Sequence, residues 1–444
     1  MCVNNTSFYK KSSLLILVNL TTGLLSFLFS VILSRKIGAE GMGLYSLVLP
    51  ISSLLLSIIS GGLLVAVSKV VAEYHAKKEM NNLHKCIKIT IIFNLIFSFI
   101  IIFFAYLLSY QISIYIVKDS RTVYALRFIF ISIICMTLSN TYKGYFYGRT
   151  NVVVPAFIDI IEKATRIILL LFLFKLRVIS TITESITTAY LVFFIGEFVS
   201  LILLYIYYQL DQKEKPQKKE KTEDFIQLLY NIFSISLPLM MTELISSSLF
   251  TISSLLLPRR LLKAGFPYNE ALSLIGRFIS MSMQIVFFPM IIIYSISAIL
   301  IPDLSSNISK QDFYTVEKRA SQVIKISFIL GIFVCMVCLL FGDGLGRMVF
   351  KRNDLGNYIR FIAFSAPFIY SGQTARGILN GLGKQKVILK YSIVISFLQV
   401  ILLYFLVAIP SINIYGFGIT LISTTFISLF IYIKEIKKVI HLKL

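Results

Sequence analysis

Long apolar runs alternate with short polar stretches along the chain. Twelve runs stand out, at about 12–34, 44–68, 86–109, 125–147, 155–174, 186–208, 227–257, 272–301, 321–342, 356–379, 388–409 and 414–433. Roughly 20 apolar residues are what a helix needs to cross the hydrocarbon of a bilayer. The pattern predicts an all-α polytopic membrane protein with about 12 transmembrane helices. The first run follows Lys10-Lys11 and ends in Arg35-Lys36. It is too long for a signal peptide and lacks a small-residue cleavage site, so it reads as a span.

One connection differs from the rest. Residues 209–224 contain DQKEKPQKKEKTED and separate the sixth run from the seventh. This composition predicts a flexible charged linker between a six-helix lobe at 1–208 and a second at 225–444. The two halves also repeat each other. LRFIFISIICMTLSNTYKGYFYGRTNVVVPA, from Leu126, parallels IRFIAFSAPFIYSGQTARGILNGLGKQKVIL, from Ile359. Arg127 matches Arg360, Gly144 matches Gly377 and Gly148 matches Gly381, at one offset of 233 residues. Six spans per half is an even number, so both halves enter the membrane in the same sense. They are parallel repeats about an axis along the membrane normal.

Composition agrees with this reading. Hydrophobic residues make up 57% and charged residues 14%, against about 25% charged in soluble chains. That excludes an ordinary soluble enzyme and a disordered or fibrous chain. The net charge of +22 lies mostly between the apolar runs, not on a soluble basic face. It reads as the positive-inside pattern with attraction to membrane lipids, and not as a nucleic-acid surface. The Lys-rich segments 69–88, 209–224, 303–325 and the tail from Lys434 then all face the cytoplasm. Both termini lie inside on this reading. With no Trp, any interfacial aromatic belt falls to the 24 Tyr.

The inventory of reactive side chains is thin. The three His lie outside the apolar spans, and the five Cys form no zinc-like cluster with them. Cys335-x-x-Cys338 has redox spacing, but it sits in IFVCMVCLLF, where it reads as two small apolar residues. No Walker A loop is present. The sequence therefore implies no metal and no cofactor.

Ionisable groups at membrane depth are costly and mark either a pathway or a structural pair. Asp159, Glu162 and Arg166 fall at i, i+3 and i+7 in PAFIDIIEKATRIILLLF, on one helix face. They form either a polar stripe facing a cleft or an intrahelical ion pair packed on a neighbour. Glu197, Glu243 and Arg277 are lone charges in apolar stretches, each expecting a partner from another helix. Arg35, Lys69, Lys143, Arg260 and Arg376 lie at span ends. They either snorkel to headgroups or form a cationic ring able to grip phosphate. Pro50, Pro155 and Pro289 can kink helices, while Gly144, Gly148, Gly377 and Gly381 permit close helix approach. Asn19, Asn94, Gln284, Gln373 and Gln399 could line a hydrophilic cavity.

Four segments carry a family likeness. They are RKIGAEGMGLYSLVLPISSLLLSIISGGLLVAVSKVVAEY, YKGYFYGRTNVVVPAFIDIIEKATRI, LLLPRRLLKAGF and IGRFISMSMQIVFFPMIIIYSISAILIPDLS. In this order they resemble the stage V sporulation protein B group of the multidrug/oligosaccharidyl-lipid/polysaccharide (MOP) exporter superfamily. That group is related to lipid II and O-antigen flippases. The resemblance implies a V of two six-helix lobes that moves a polyprenyl-pyrophosphate-linked saccharide between leaflets by alternating access. It implies cleft roles for Arg35, the Glu162/Arg166 pair and Arg260 of Pro258-Arg259-Arg260-Leu261. Many members carry two further C-terminal helices, whereas this sequence stops at Leu444 after its twelfth run.

The expected function is therefore a flippase of a lipid II-like wall precursor or polysaccharide repeat unit, tied by the resemblance to spore cortex peptidoglycan. The expected setting is a monomer in the bacterial cytoplasmic membrane, its partners being the lipid-linked oligosaccharide and membrane lipids. Coupling to a monovalent cation, Na+ or H+, remains open. Two alternatives stand beside it: a cation-coupled multidrug antiporter, and a membrane glycosyltransferase or polymerase. The short loops and missing catalytic cluster weigh against the enzyme. Cargo chemistry separates the transporters, since a pyrophosphate wants Arg and a cationic drug wants carboxylate.

Overall fold

The computed structural model describes residues 5–176, 181–213, 223–309 and 311–440. Most of the expected linker, 214–222, lies outside them. Every regular element among the described residues is helical. The principal helices are α1 (Asn5–Ser60), α2 (Leu63–Ala76), α3 (Met80–Leu107), α4 (Val123–Gly148), α5 (Val153–Leu176), α6 (Ile182–Lys213) and α7 (Phe225–Lys263). They continue with α8 (Tyr268–Ile275), α9 (Met283–Phe287), α10 (Met290–Ser309), α11 (Phe313–Phe350), α12 (Gly356–Ala363), α13 (Ala366–Gly381), α14 (Gln385–Leu406) and α15 (Tyr415–Lys437).

These segments supply about twelve membrane crossings. α1 and α2 together provide two, because α1 kinks at Gly38 (φ 70°) instead of ending in the loop expected near 35–43. Gly61-Gly62 then separates α1 from α2, with Gly62 left-handed at φ 68°. Glycine carries that conformation without the steric cost other residues meet. α8, a π-helical turn at Gly276–Ser282, α9 and α10 make one broken crossing interrupted at Pro289. Pro155 sits in the first turn of α5, where its missing N–H costs nothing. Pro50 lies inside α1.

The chain forms two compact units. One comprises Leu47–Thr251, and the other comprises Met1–Ser46 with Ile252–Leu444. The division does not fall at the charged linker. Segment 1–46 groups with the second half of the chain for a steric reason. A Cβ on Gly43 would lie 2.0 Å from the Leu272 carbonyl oxygen, and one on Gly276 would lie 1.8 Å from that of Ala39. Backbone therefore meets backbone where α1 passes α8 and the π turn. Segment 225–251 groups with the first half because Leu228 and Ile232 enter the core of Val67, Val71, Leu83, Ile87, Tyr145 and Leu204.

Each unit repeats one packing device. In the 47–251 unit, a Cβ on Gly148 would fall 2.5 Å from the Ser68 oxygen and 2.7 Å from Val71. In the other, a Cβ on Gly381 would fall 3.2 Å from the Ile301 oxygen and from Leu304. Gly144 meets Val67 and Leu64, and Gly377 meets Ser297. Gly148, Ser68 and Val71 correspond to Gly381, Ile301 and Leu304 at the same 233-residue offset. The repeat therefore extends from the motif to the helix it packs on. Outward faces are apolar, as a bilayer requires: Phe99 is 60% and Leu340 is 74% exposed.

Candidate functional site

Three acids and three bases meet inside the 47–251 unit. On α5, Glu162 and Arg166 stack one turn apart, with Arg166 Nη2 2.5 Å from Glu162 Oε1. The same nitrogen lies 2.6 Å from Glu197 Oε1 on α6. Asp159 accepts from Lys143 Nζ of α4 at 2.7 Å, and Lys163 lies 3.6 Å from Glu162. The group is neutral in sum. It is also deep: Glu162 is 3%, Arg166 8% and Glu197 8% exposed. The Arg166 guanidinium lies over the Phe193 ring, 3.8 Å from its centroid. Gly196 makes room for it, since a Cβ there would approach Arg166 Nε to 2.7 Å. That buried Nε has no hydrogen-bond partner. Breaking such a group by removing one charge is costly, because the remaining charges stay buried.

The i, i+3, i+7 spacing had placed Asp159, Glu162 and Arg166 together. Glu197 and Lys143 could not be joined to them from sequence, because spacing within one helix carries no information about its neighbour. Glu243 on α7 does not join the group. It is exposed and accepts the backbone N–H of Gly62 at the start of α2, where a negative charge complements the helix dipole. Nearby helices are tied by the Ser57 and Ser247 hydroxyls at 2.7 Å.

In the other unit, the arginines expected in a ring are largely committed elsewhere. Arg35 donates to the Val349 and Met348 carbonyls at 2.8 and 2.9 Å, the last turn of α11. Arg260, 7% exposed, donates to the Tyr404 carbonyl at 2.7 Å in the last turn of α14. Its guanidinium covers the Tyr404 ring at 3.2 Å. Both side chains thus satisfy helix C-terminal carbonyls, which welcome cations. Arg277 lies 3.2 Å from Asp354, which Arg352 also grips at 2.6 and 2.8 Å. That contact holds the Asp354 carboxyl below the usual carboxylate range, with Arg277 adding to it.

Arg376 is different. It lines a cavity of about 250 Å³ bounded by α13, α14 and α15. Gln373 and Gln399, two of the five polar residues noted in sequence, line it with Arg376, together with Ser396, Thr425 and Ser428. No carboxylate is among its lining residues.

Comparison with known proteins places these features in a family. The model of a family described as polysaccharide biosynthesis protein matches residues 8–308. A second, MatE, matches 238–405. Stage V sporulation protein B of Bacillus subtilis (strain 168) is 25% identical over 448 residues, covering 99% of this chain and 85% of that protein. Sporulation protein YkvU of the same organism is 23% identical over 338 residues, covering 76% and 74%. Among solved structures, an inward-facing multidrug resistance MATE transporter of the MOP superfamily superposes with a TM-score of 0.75 at 14% identity, over 96% of this chain and 98% of that one. An outward-facing multidrug resistance MATE transporter of the same superfamily gives 0.70 at 14% identity, over 97% and 96%. A MOP transporter from Pyrococcus furiosus, described as having a binding pocket of reverse polarity, gives 0.67 at 14% identity, over 97% and 96%.

Proposed function

Because this chain belongs to the polysaccharide biosynthesis protein family and is a stage V sporulation protein B-like member of the MOP superfamily, a multi-pass membrane transporter or flippase, we propose that its cargo is a polyprenyl-pyrophosphate-linked saccharide of the cell-wall pathway. The observation that carries this reading is the distribution of charge. The buried acids Glu162 and Glu197 and the half-buried Asp159 are each held by a base within one unit. They leave no bare carboxylate in that cluster for a cationic cargo. Arg376, by contrast, has no ion pair among the described residues and faces a cavity without acids.

The mechanism follows from solvation. A pyrophosphate and its sugars cannot cross hydrocarbon bare. A hydrophilic passage takes them while the polyprenyl tail stays in lipid, and alternating access opens the passage to each side in turn. The proposed setting is the bacterial cytoplasmic membrane with both termini inside, as the Lys-rich segments favour.

Glu243 supports a second reading. It is a carboxylate with no basic partner among the described residues, and the MATE-type structural likeness fits a cation-coupled antiporter. One experiment separates the two. Purified protein is placed in vesicles with a fluorescent lipid II, and the fraction reachable by a membrane-impermeant quencher is followed. Protein-dependent redistribution that Glu243→Gln leaves intact supports the flippase. No redistribution, with Glu243-dependent efflux of a cationic dye, supports the antiporter.

A further inference from the structure

The cavity around Arg376 has the chemistry of a sugar-acid site. Its guanidinium offers up to five N–H donors in a planar fork, and no carboxylate lines the cavity to neutralise it. Gln373, Gln399 and Ser396 also face the cavity, and none of these side chains has a hydrogen-bond partner among the described residues. Of the other lining hydroxyls, Ser392, Thr424, Thr425 and Ser428 donate to the carbonyls of Leu389, Thr420, Leu421 and Thr425 at 2.9, 2.8, 2.7 and 2.8 Å. They are left to act as acceptors. One wall thus offers a charged fork, and the others offer amides and hydroxyl lone pairs. Carbohydrate hydroxyls, which both donate and accept, match that mixture. A simple inorganic anion would use only the fork.

Size narrows the ligand. About 250 Å³ is less than the roughly 300–1,000 Å³ of pockets for drug-sized molecules. It fits one sugar ring and not a whole lipid-linked oligosaccharide. Every lining residue lies on α13, α14 or α15 or between their ends, so the cavity is complete within one unit.

We propose that this cavity binds a single sugar ring bearing a carboxylate or phosphate, with Arg376 on the anionic group and Gln373, Gln399 and Ser396 on the hydroxyls. It deepens the flippase reading by naming an acidic sugar as part of the cargo, and rests on that reading for its role in transport. Binding itself is measured without transport.

The test uses full-length protein in lipid nanodiscs and direct binding of glucuronate, glucose 1-phosphate, glucose and inorganic phosphate. The two sugar acids are expected to bind at least tenfold more tightly than glucose. Arg376→Gln is expected to remove that preference. Replacing Ser396 and Gln399 by Ala and Leu is expected to weaken the sugar acids at least fivefold while leaving inorganic phosphate unchanged. Equal binding of glucose and glucuronate, or no effect of Arg376→Gln in a folded variant, overturns the proposal. Inorganic phosphate binding as tightly as glucuronate reduces the cavity to an anion site and overturns it as well. Failure here with lipid II still flipped removes only the subsite. Sugar-acid binding without flipping removes the transport reading and leaves the site.

Discussion

Arg166 Nη2 of α5 lies 2.6 Å from Glu197 Oε1 of α6 while also holding Glu162. One guanidinium therefore bridges two buried carboxylates on different helices. Arg166→Ala leaves both acids without that partner in a buried setting, a loss of about 3–5 kcal/mol. The expected outcome is a sharp fall in membrane abundance and thermal midpoint. Combining Arg166→Met with Glu162→Gln and Glu197→Gln removes the charges together and is expected to restore most of the stability. Normal abundance of Arg166→Ala with lost transport would instead place Arg166 on the transport path.

The matched glycines make an internal control. Gly148→Val and Gly381→Val each push a side chain into the backbone of the facing helix, near Ser68 in one unit and Ile301 in the other. Overpacking of this kind costs about 1–3 kcal/mol. Gly148 has the tighter surroundings, 2.5 Å against 3.2 Å, so its variant is expected to melt at the lower temperature. The order is read from thermal unfolding in the same detergent, and the reverse order contradicts the packing account.

Asp354 gives a pH signature. Arg352, and secondarily Arg277, hold its carboxyl below the usual value. Its contribution is therefore present above the ordinary carboxylate range, near pH 4, and is lost as pH falls through the lowered value. The pair is partly exposed, so the contribution is under about 1 kcal/mol. Asp354→Asn is expected to melt slightly lower at neutral pH and to converge with the unmodified protein in acid. Parallel melting curves across that range contradict it.

Much of the fold was legible because a bilayer imposes a length on each apolar run. The 233-residue repeat was equally visible, and its glycines do pack on matching helices. The kink at Gly38 was not, since a short polar stretch between two apolar runs looks the same whether it bends one helix or separates two. Nor were the edges of the units, which depend on where α1 and α7 pack. At the site, the face shared by Glu162 and Arg166 followed from spacing, but Glu197, Phe193 and the Asp354 partner of Arg277 are tertiary contacts. Arg35 and Arg260 show the limit from the other side. Arginine at a span end looks alike whether it meets a headgroup, a ligand or, as here, the carbonyls ending another helix.

Whether the protein moves an anionic lipid-linked sugar is tested most directly by varying the charge of the cargo alone. One fluorescent polyprenyl carrier would be prepared with a pyrophosphate–saccharide head, a neutral saccharide head or a cationic amine head, and leaflet exchange timed in vesicles containing the protein. Rapid protein-dependent exchange of the pyrophosphate form is expected, at least tenfold faster than either other form. Faster exchange of the cationic carrier, or equal rates for all three, would contradict it.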